Sequence, residues 1–532
     1  MILSIGVKKM KRILLILPLV FFLVFWIFPE KYDLVIKNGK IIDGTGNPWF
    51  IADIGIKGKF IKKIGFIEDS KGKKVIDARG LVVSPGFIDV HTHAEGIEKN
   101  PRIENYSFQG VTTVIAGNCG GHSYPLKEHF RKLKTKGISI NYGSLVGHNT
   151  IRDIVMGKKQ ALPNKEEMKR MKKLLEQELK DGGLGLSTGL AYMPGIYSNT
   201  EELEELGKVV AKYHGIYTSH IRNQGKGIKE AIEEAIQVGE KNKIPVLVSH
   251  IKLADESVWN EIWRITKPVE DARARGVEVF LDQYPYTATS SGFESSLPGW
   301  SREGGLEKFK ERLLDKEKYE KIKAHVIQGR LTSIKGINKL QSIFIASCPW
   351  KKEYEGKNLE EILEMEGKEP TVENGADLII EIVKNGDAQG IFFQMDESDV
   401  KELMKLPYLM IGSDGAMQIY GKGFPHPRSY GTYPRILGKY VREEKVLTLE
   451  DAIRKMTSLP ANTFRIRKRG ILKEKFYADI VIFSPERIID KATFGNPHQY
   501  PEGIEYVIVN GKIVVERNKH TGELPGMIIK RE

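Results

Sequence analysis

Apolar and polar positions follow two different rhythms along this chain. From Tyr32 to Val83 short apolar runs are broken by turn signals: Asp33-Leu34-Val35-Ile36, then Asn38-Gly39, then Lys40-Ile41-Ile42-Asp43 ahead of Gly44 and Gly46. Asn-Gly between two apolar runs predicts a hairpin. The far end of the chain repeats this signature in Ala478-Asp479-Ile480-Val481-Ile482-Phe483 and in Tyr506-Val507-Ile508-Val509-Asn510-Gly511-Lys512-Ile513-Val514-Val515. Strands at both ends, with little else there, predict one small β-sandwich built from residues 31–83 and 470–532.

Between those ends the rhythm lengthens to helices alternating with strands. Asn164-Lys165-Glu166-Glu167 reads as a cap and acidic first turn opening a helix to about Lys180, and Gly183-Leu184-Gly185-Leu186-Ser187 follows as a strand. The same order recurs three times. A helix from Asn199 to near Gly215 precedes Ile216-Tyr217-Thr218-Ser219-His220, and one over Ile228 to Lys241 precedes Val246-Leu247-Val248-Ser249-His250. A third, near Val258 to Arg275, precedes Val277-Glu278-Val279-Phe280-Leu281-Asp282. Strands alternating with helices imply a parallel sheet, and this many repeats with polar strand ends predict an α/β fold with a (β/α)8 barrel over residues 84–469. The stretch at about 290–370, with Leu297-Pro298-Gly299-Trp300 and Lys/Glu-rich helices after it, breaks the rhythm and reads as an insertion over the barrel mouth.

Composition changes this picture little. With 532 residues, 41% hydrophobic, the chain is long enough for a barrel plus a smaller domain. The net charge of +13 is an excess of Lys and Arg over Asp and Glu, with Lys and Glu interspersed and no long basic block or nucleic-acid motif, so no nucleic-acid partner is expected. Two cysteines, Cys119 and Cys348, make no disulfide framework. The amino terminus stands apart: Lys8, Lys9, Lys11 and Arg12 precede an apolar run of 16 residues, Ile13 to Phe28, which passes straight into Pro29-Glu30-Lys31. A basic flank and an apolar run without a small-residue cleavage site predict an uncleaved membrane anchor over residues 1–30, with the catalytic bulk outside the cytoplasm. The run is short of the 20 or so residues of an ordinary span, and the alternative is a cleaved signal and a secreted protein.

Candidate chemistry gathers at the predicted strand ends, the barrel face on which active sites are built. Pro85-Gly86-Phe87-Ile88-Asp89-Val90 ends in His91-Thr92-His93, and residues two apart on a strand point the same way. Further strands end in Gly117-Asn118-Cys119-Gly120, Ser219-His220-Ile221-Arg222, Ser249-His250-Ile251-Lys252 and Gly412-Ser413-Asp414-Gly415. Four imidazoles, one thiol and one carboxylate form a suitable ligand set for zinc. Taken singly, Cys119 would pass for a buried small hydrophobe and Asp414 for a helix cap; five strand ends together point to a metal site.

Those motifs, with Leu145-Val146-Gly147-His148, Gly185-Leu186-Ser187-Thr188-Gly189-Leu190, Tyr284-Pro285-Tyr286, His426-Pro427-Arg428 and Tyr433-Pro434-Arg435, resemble the N-acyl-D-amino-acid deacylases (D-aminoacylases) of the amidohydrolase superfamily. The resemblance runs from Tyr32 to Thr521-Gly522-Glu523-Leu524-Pro525-Gly526, leaving out only the leading apolar segment. It implies one tightly held Zn2+ on Cys119, His220 and His250, with His91, His93 and Asp414 around a second, weaker position. Cys119 would replace the carboxylated lysine of many relatives, since Gly185-Leu186-Ser187-Thr188-Gly189 offers no lysine. Zinc would acidify a water and polarise an amide carbonyl. Asp414 would take the water's proton and pass it to the departing amine, and Tyr284 would steady the developing oxyanion. Lys252 and Arg428 are the candidates for the substrate carboxylate, by charge complementarity. The activity implied is deacylation of N-acyl-D-amino acids. The alternatives are a cyclic-amide hydrolase of hydantoinase or dihydroorotase type, a D-dipeptide hydrolase, or a membrane-anchored binding protein on an inactive scaffold.

Overall fold

The computed structural model describes residues 31–68 and 71–531. The predicted membrane anchor lies outside the described residues, and among those described no helix is long and apolar enough to cross a membrane.

Eight parallel strands form the barrel: Phe87–Asp89 (β1), Val111–Ala116 (β2), Asn141–Ser144 (β3), Gly185–Gly189 (β4), Ile216–His220 (β5), Val246–Val248 (β6), Val279–Gln283 (β7) and Leu409–Ile411 (β8). Each pairs in parallel with its successor, the β3 to β4 step passing through Val146–Gly147. The ring closes just beyond the carboxyl ends, where Thr92 and His93 pair with Gly415 and Ala416 and Asp414 N–H donates to His91 O at 2.8 Å. Helices such as Thr200–Lys212 and Ile228–Asn242 join successive strands. They turn Leu203, Leu206 and Val210, and Ile228, Ile232 and Ile236, inward to the main core, the 3.6-residue spacing of a core-facing helix. The predicted capping box of the helix Lys165–Lys180 is formed: Asn164 accepts from Glu167 N–H, and Glu167 accepts from Asn164 N–H.

Both chain ends enter one nine-stranded sheet, joined where Val481 pairs with Ser84. Leu34, Ile36, Ile54 and Ile56 from one end share an apolar core with Ile480, Ile482 and Ile508 from the other. The Asn38-Gly39 signal is a bulge inside Tyr32–Ile41, where Asn38 has φ 56°, and the chain reverses later, near Gly44 and Gly46. Turn chemistry was legible there, but it bends a strand that pairs on both sides of the bulge.

Between β7 and β8 the chain leaves the barrel for a unit with its own core, in which Ala288–Gly292 and Ile343–Ser347 flank Gln389–Phe393 in an antiparallel sheet. This unit extends past the expected boundary at about residue 370. The helix Val372–Lys384 and the strand Gln389–Phe393 continue the barrel's helix-strand rhythm but pack within the insertion.

Candidate metal centre

The six predicted ligands meet at the carboxyl end of the barrel. Cys119 Sγ lies 3.4 Å from His91 Nε2, 3.5 Å from His250 Nε2 and 3.7 Å from His220 Nδ1. Asp414 Oδ1 lies 3.2 Å from His93 Nε2 and 3.6 Å from His91 Nε2. Metal bonds of about 2.3 Å to sulfur and 2.0–2.1 Å to nitrogen, at a tetrahedral angle, place two such ligand atoms about 3.5–3.6 Å apart. The separations of Cys119 from His91 and His250 therefore fit one ion. Two sets have all their ligand atoms within 4.8 Å of one another: His91, Cys119 and His250, and His91, His93 and Asp414. His220 approaches Cys119 but joins neither set. His91 is common to both, whereas the resemblance implied a sharp division between Cys119-His220-His250 and His91-His93-Asp414. The structure brings all six together and puts His91 and Cys119 at the centre.

The backbone is held under strain to aim these groups. Cys119, His250 and Asp414 all have positive φ, at 52°, 35° and 49°, a region non-glycine residues avoid. Gly117 and Gly120 flank the thiol, also at positive φ. A Cβ on Gly120 would come within 2.2 Å of Asn149 Oδ1, so the thiol loop closes against the barrel only with glycine there.

Electrostatics suit a cation. Burial opposes ionisation of the Cys119 thiol, yet the charge of His91 and hydrogen bonds from His220 and His250 hold its pKa well below the ordinary thiol value, favouring the ligating thiolate. Burial, with Lys252 and His220 beside it, keeps His250 well below the usual imidazole range and hence neutral. Burial also works against Asp414, but Arg428, the hydrogen bond to His93 and the charge of His91 outweigh it and keep the carboxylate ionised. His93 retains 36% of its side-chain exposure, so solvent reaches the ring on that side.

The remaining predicted residues sit around one aromatic ring. The Tyr284 ring has Arg428 at 4.6 Å on its face and Lys252 Nζ at 5.5 Å. Lys252 Nζ is 3.0 Å from both Gln224 Oε1 and His250 Nδ1, and burial pushes its pKa down to about 7. Arg428 Nη1 forms an ion pair with Asp414 Oδ2 at 2.9 Å but out of hydrogen-bond alignment, so among the described residues that buried nitrogen has no hydrogen-bond partner. His148 belongs elsewhere: it pairs with Glu202, which also takes Arg152, in a buried cluster behind the barrel wall.

These residues lie in a recognisable family. A sequence model of the Amidohydrolase family matches residues 74–311 and 355–515. An N-acyl-D-glutamate deacylase of Alcaligenes xylosoxydans is 33% identical over 94% of this chain and 97% of its own length, and a D-aminoacylase of the same organism is 32% identical over 94% and 98%. The crystal structure of an N-acyl-D-glutamate deacylase from Bordetella bronchiseptica, complexed with zinc and a phosphonate inhibitor, has a TM-score of 0.81 at 32% identity and covers 94% of this chain and 100% of that one. The chain belongs to the amidohydrolase family, in its N-acyl-D-amino-acid deacylase group. A D-hydantoinase, at 16% identity and a TM-score of 0.57, shares the fold alone.

As a member of that group the protein is a metal-dependent amidohydrolase, and its metal centre has supports that the sequence reading passed over. Asp282, at the end of β7, lies 3.4 Å from His91 Nδ1 and accepts the backbone N–H of His250 at 2.8 Å, so one carboxylate meets the ring of one ligand and the backbone of another. Asp89 accepts the N–H groups of His91 and Ser413, tying the first and last strand ends. Glu95 accepts Gly117 N–H at 2.9 Å and so steadies the loop that carries Cys119. The signal available for Asp282 was its place at a strand end, the same one that marked His220 and His250.

Proposed function

We propose that this protein hydrolyses the amide bond of N-acyl-D-amino acids, releasing a carboxylate and the D-amino acid, with Zn2+ as its metal. The observation that carries the reading is the ring of Cys119, His91, His93, His220, His250 and Asp414 beside two cations, Lys252 and Arg428, on the face of Tyr284. A metal held by these residues would supply an acidified water and a polarised carbonyl. Asp414, ionised and beside His93, is the group that accepts a proton and delivers it to the leaving amine. Tyr284 keeps its proton because burial raises its pKa, and its hydroxyl, beside Arg428 and 3.9 Å from Met395 Sδ, donates to the scissile carbonyl oxygen. Arg428 and Lys252 receive the α-carboxylate and fix which side of the amide faces Asp414.

The D configuration is carried over from the relatives named above. An inactive scaffold would be expected to have lost ligands, and this ring is complete. Turnover of N-acetyl-D- and N-acetyl-L-amino acids by the zinc-loaded protein tests the reading, with Cys119→Ala beside it. We expect D substrates to be cleaved faster and Cys119→Ala to lose both bound zinc and activity. Faster cleavage of L substrates, or full activity in Cys119→Ala, would overturn it. We further propose that the apolar run Ile13 to Phe28 anchors the chain to a membrane, which fractionation of the full-length protein against one lacking residues 1–30 would test.

A further inference from the structure

Among the described residues, two arginines of the segment inserted between β7 and β8 have no acidic partner within ion-pair distance. Arg302, last residue of the short helix Gly299–Arg302, is only 3% exposed, and its Nε and Nη1 have no hydrogen-bond partner. Arg330 donates to two neutral groups, Gln394 Oε1 at 3.0 Å and Ser295 Oγ at 3.5 Å, and lies 5.2 Å over the Phe392 ring. Buried guanidinium groups are ordinarily paired, because leaving a charge dry and uncompensated costs several kcal/mol. The carboxylates nearest Arg302, Glu294 and Asp387, act on it from beyond ion-pair distance. Asp387 is itself pushed up to about 6 by burial and accepts Glu294 N–H.

Both arginines are linked to the metal ring through neighbouring side chains. From the ring toward Arg302, Tyr192 packs on the ligand His220, with ring centroids 4.6 Å apart. The turn Gly195–Tyr197 that follows it carries the helix of Arg302, Tyr197 Oη donating to Gly299 O at 2.9 Å. Toward Arg330, Gln394, which holds Arg330, precedes Met395, whose sulfur is the neighbour of the Tyr284 hydroxyl. Tyr192 acts electrostatically on both guanidinium groups, and His325 is held below its ordinary pKa by burial and by both of their charges. Residues 312–354, which include Arg330, fall outside the match to the family model.

We propose that Arg302 and Arg330 form a second anion subsite, so that the preferred substrates are N-acyl amino acids with a second carboxylate distal to the scissile amide. This rests on the deacylase reading and deepens it. The α-carboxylate is already provided for by Lys252 and Arg428; the inserted arginines meet a further one, on the amino-acid side chain or on the acyl group.

Three substrates separate the sources: N-acetyl-D-glutamate, N-succinyl-D-leucine and N-acetyl-D-leucine. We expect kcat/KM for one of the dicarboxylates to exceed that for N-acetyl-D-leucine by about tenfold or more, as a charge-assisted pair in a dry site implies. N-acetyl-D-glutamate in that position places the anion on the side chain, and N-succinyl-D-leucine places it on the acyl group. In Arg302→Met and in Arg330→Met that ratio falls about tenfold, and Arg302→Lys restores part of it. Arg330, less deeply buried, carries the test if Arg302→Met does not fold. A wild-type ratio at or below one for both dicarboxylates overturns the subsite while leaving the deacylase reading intact. So does an equal loss on all three substrates in the variants, the mark of a structural role. If none of the three is turned over, the deacylase reading has failed instead. Calorimetric binding of glutarate, present in the wild type and lost in both Met variants, then decides the subsite independently, and absence of binding overturns it.

Discussion

The two ends of the barrel hold buried polar clusters of similar size and opposite character. At the amino-terminal end, Arg469, Asp479, Asn510 and Asn141 lie between the barrel and the sheet built from the chain termini, all at most 5% exposed. Arg469 pairs with Asp479, which also accepts Asn510 N–H at 2.8 Å and Asn141 Nδ2 at 3.1 Å, while Asn510 Nδ2 donates to Asn141 Oδ1 at 2.8 Å. Each charge there meets its opposite. At the carboxyl-terminal end Arg428 Nη1, Asp89 Oδ2 and Asn118 Oδ1 are buried without hydrogen-bond partners, imidazoles crowd one another, and three side chains leave the backbone from positive φ. A satisfied network fastens two domains; an unsatisfied, strained one is completed by what it binds. The barrel spends at one rim the order it secures at the other.

Substitutions at the two rims should therefore separate activity from stability. The largest effect is expected from Asp414→Asn. With its proton acceptor gone, turnover falls by about 10²–10⁴-fold, while at least one equivalent of metal stays on Cys119 and the histidines. Steady-state kinetics with metal analysis on the same sample check this, and unchanged turnover would remove Asp414 from the reaction. Asp479→Ala should do the reverse. It strands Arg469 in a dry interface and should cost about 3–5 kcal/mol of unfolding free energy, with kcat per folded molecule preserved. Denaturant melts and active-site-normalised rates distinguish the outcomes; a loss of kcat without a loss of stability would mean that the two rims are coupled.

The same contrast explains what could be read before the structure. The ligand rim was legible because its side chains have uncommon types at regular places: His91 and His93 two apart on one strand, Cys119, His220, His250 and Asp414 each ending another. The barrel was legible for the same reason, since alternation of helices and strands is written in local apolar spacing. Asp282 and Asp89 were passed over because a carboxylate at a strand end has many uses, and only the closed ring shows which backbone N–H or imidazole it meets. The pairing of Arg428 with Asp414, and of Asp479 with Arg469 and Asn141, joins distant segments and leaves no local pattern. The insertion ran past its expected end because Val372–Lys384 and Gln389–Phe393 are a sound helix and strand whose partners, Ala288–Gly292 and Ile343–Ser347, are fixed by packing alone.

Asp282 allows the smallest and sharpest test, because it belongs to the strained rim yet behaves in part like the satisfied one. Its Oδ1 accepts the backbone N–H of His250, a structural bond, and both its oxygens stand 3.4 Å from His91 Nδ1, the Oδ2 contact being the one that orients a ligand. Asparagine can keep the first with its carbonyl oxygen, but its amide nitrogen cannot accept a proton from His91. If orientation of His91 is what the carboxylate contributes, Asp282→Asn should weaken metal binding about 10–100-fold in a chelator competition while the metal-free protein unfolds at nearly the same denaturant concentration. If the backbone bond is its whole purpose, metal affinity stays where it was, and the support of the metal ring must be sought in Gln224 and Lys252, which meet His250 Nδ1 from the other side.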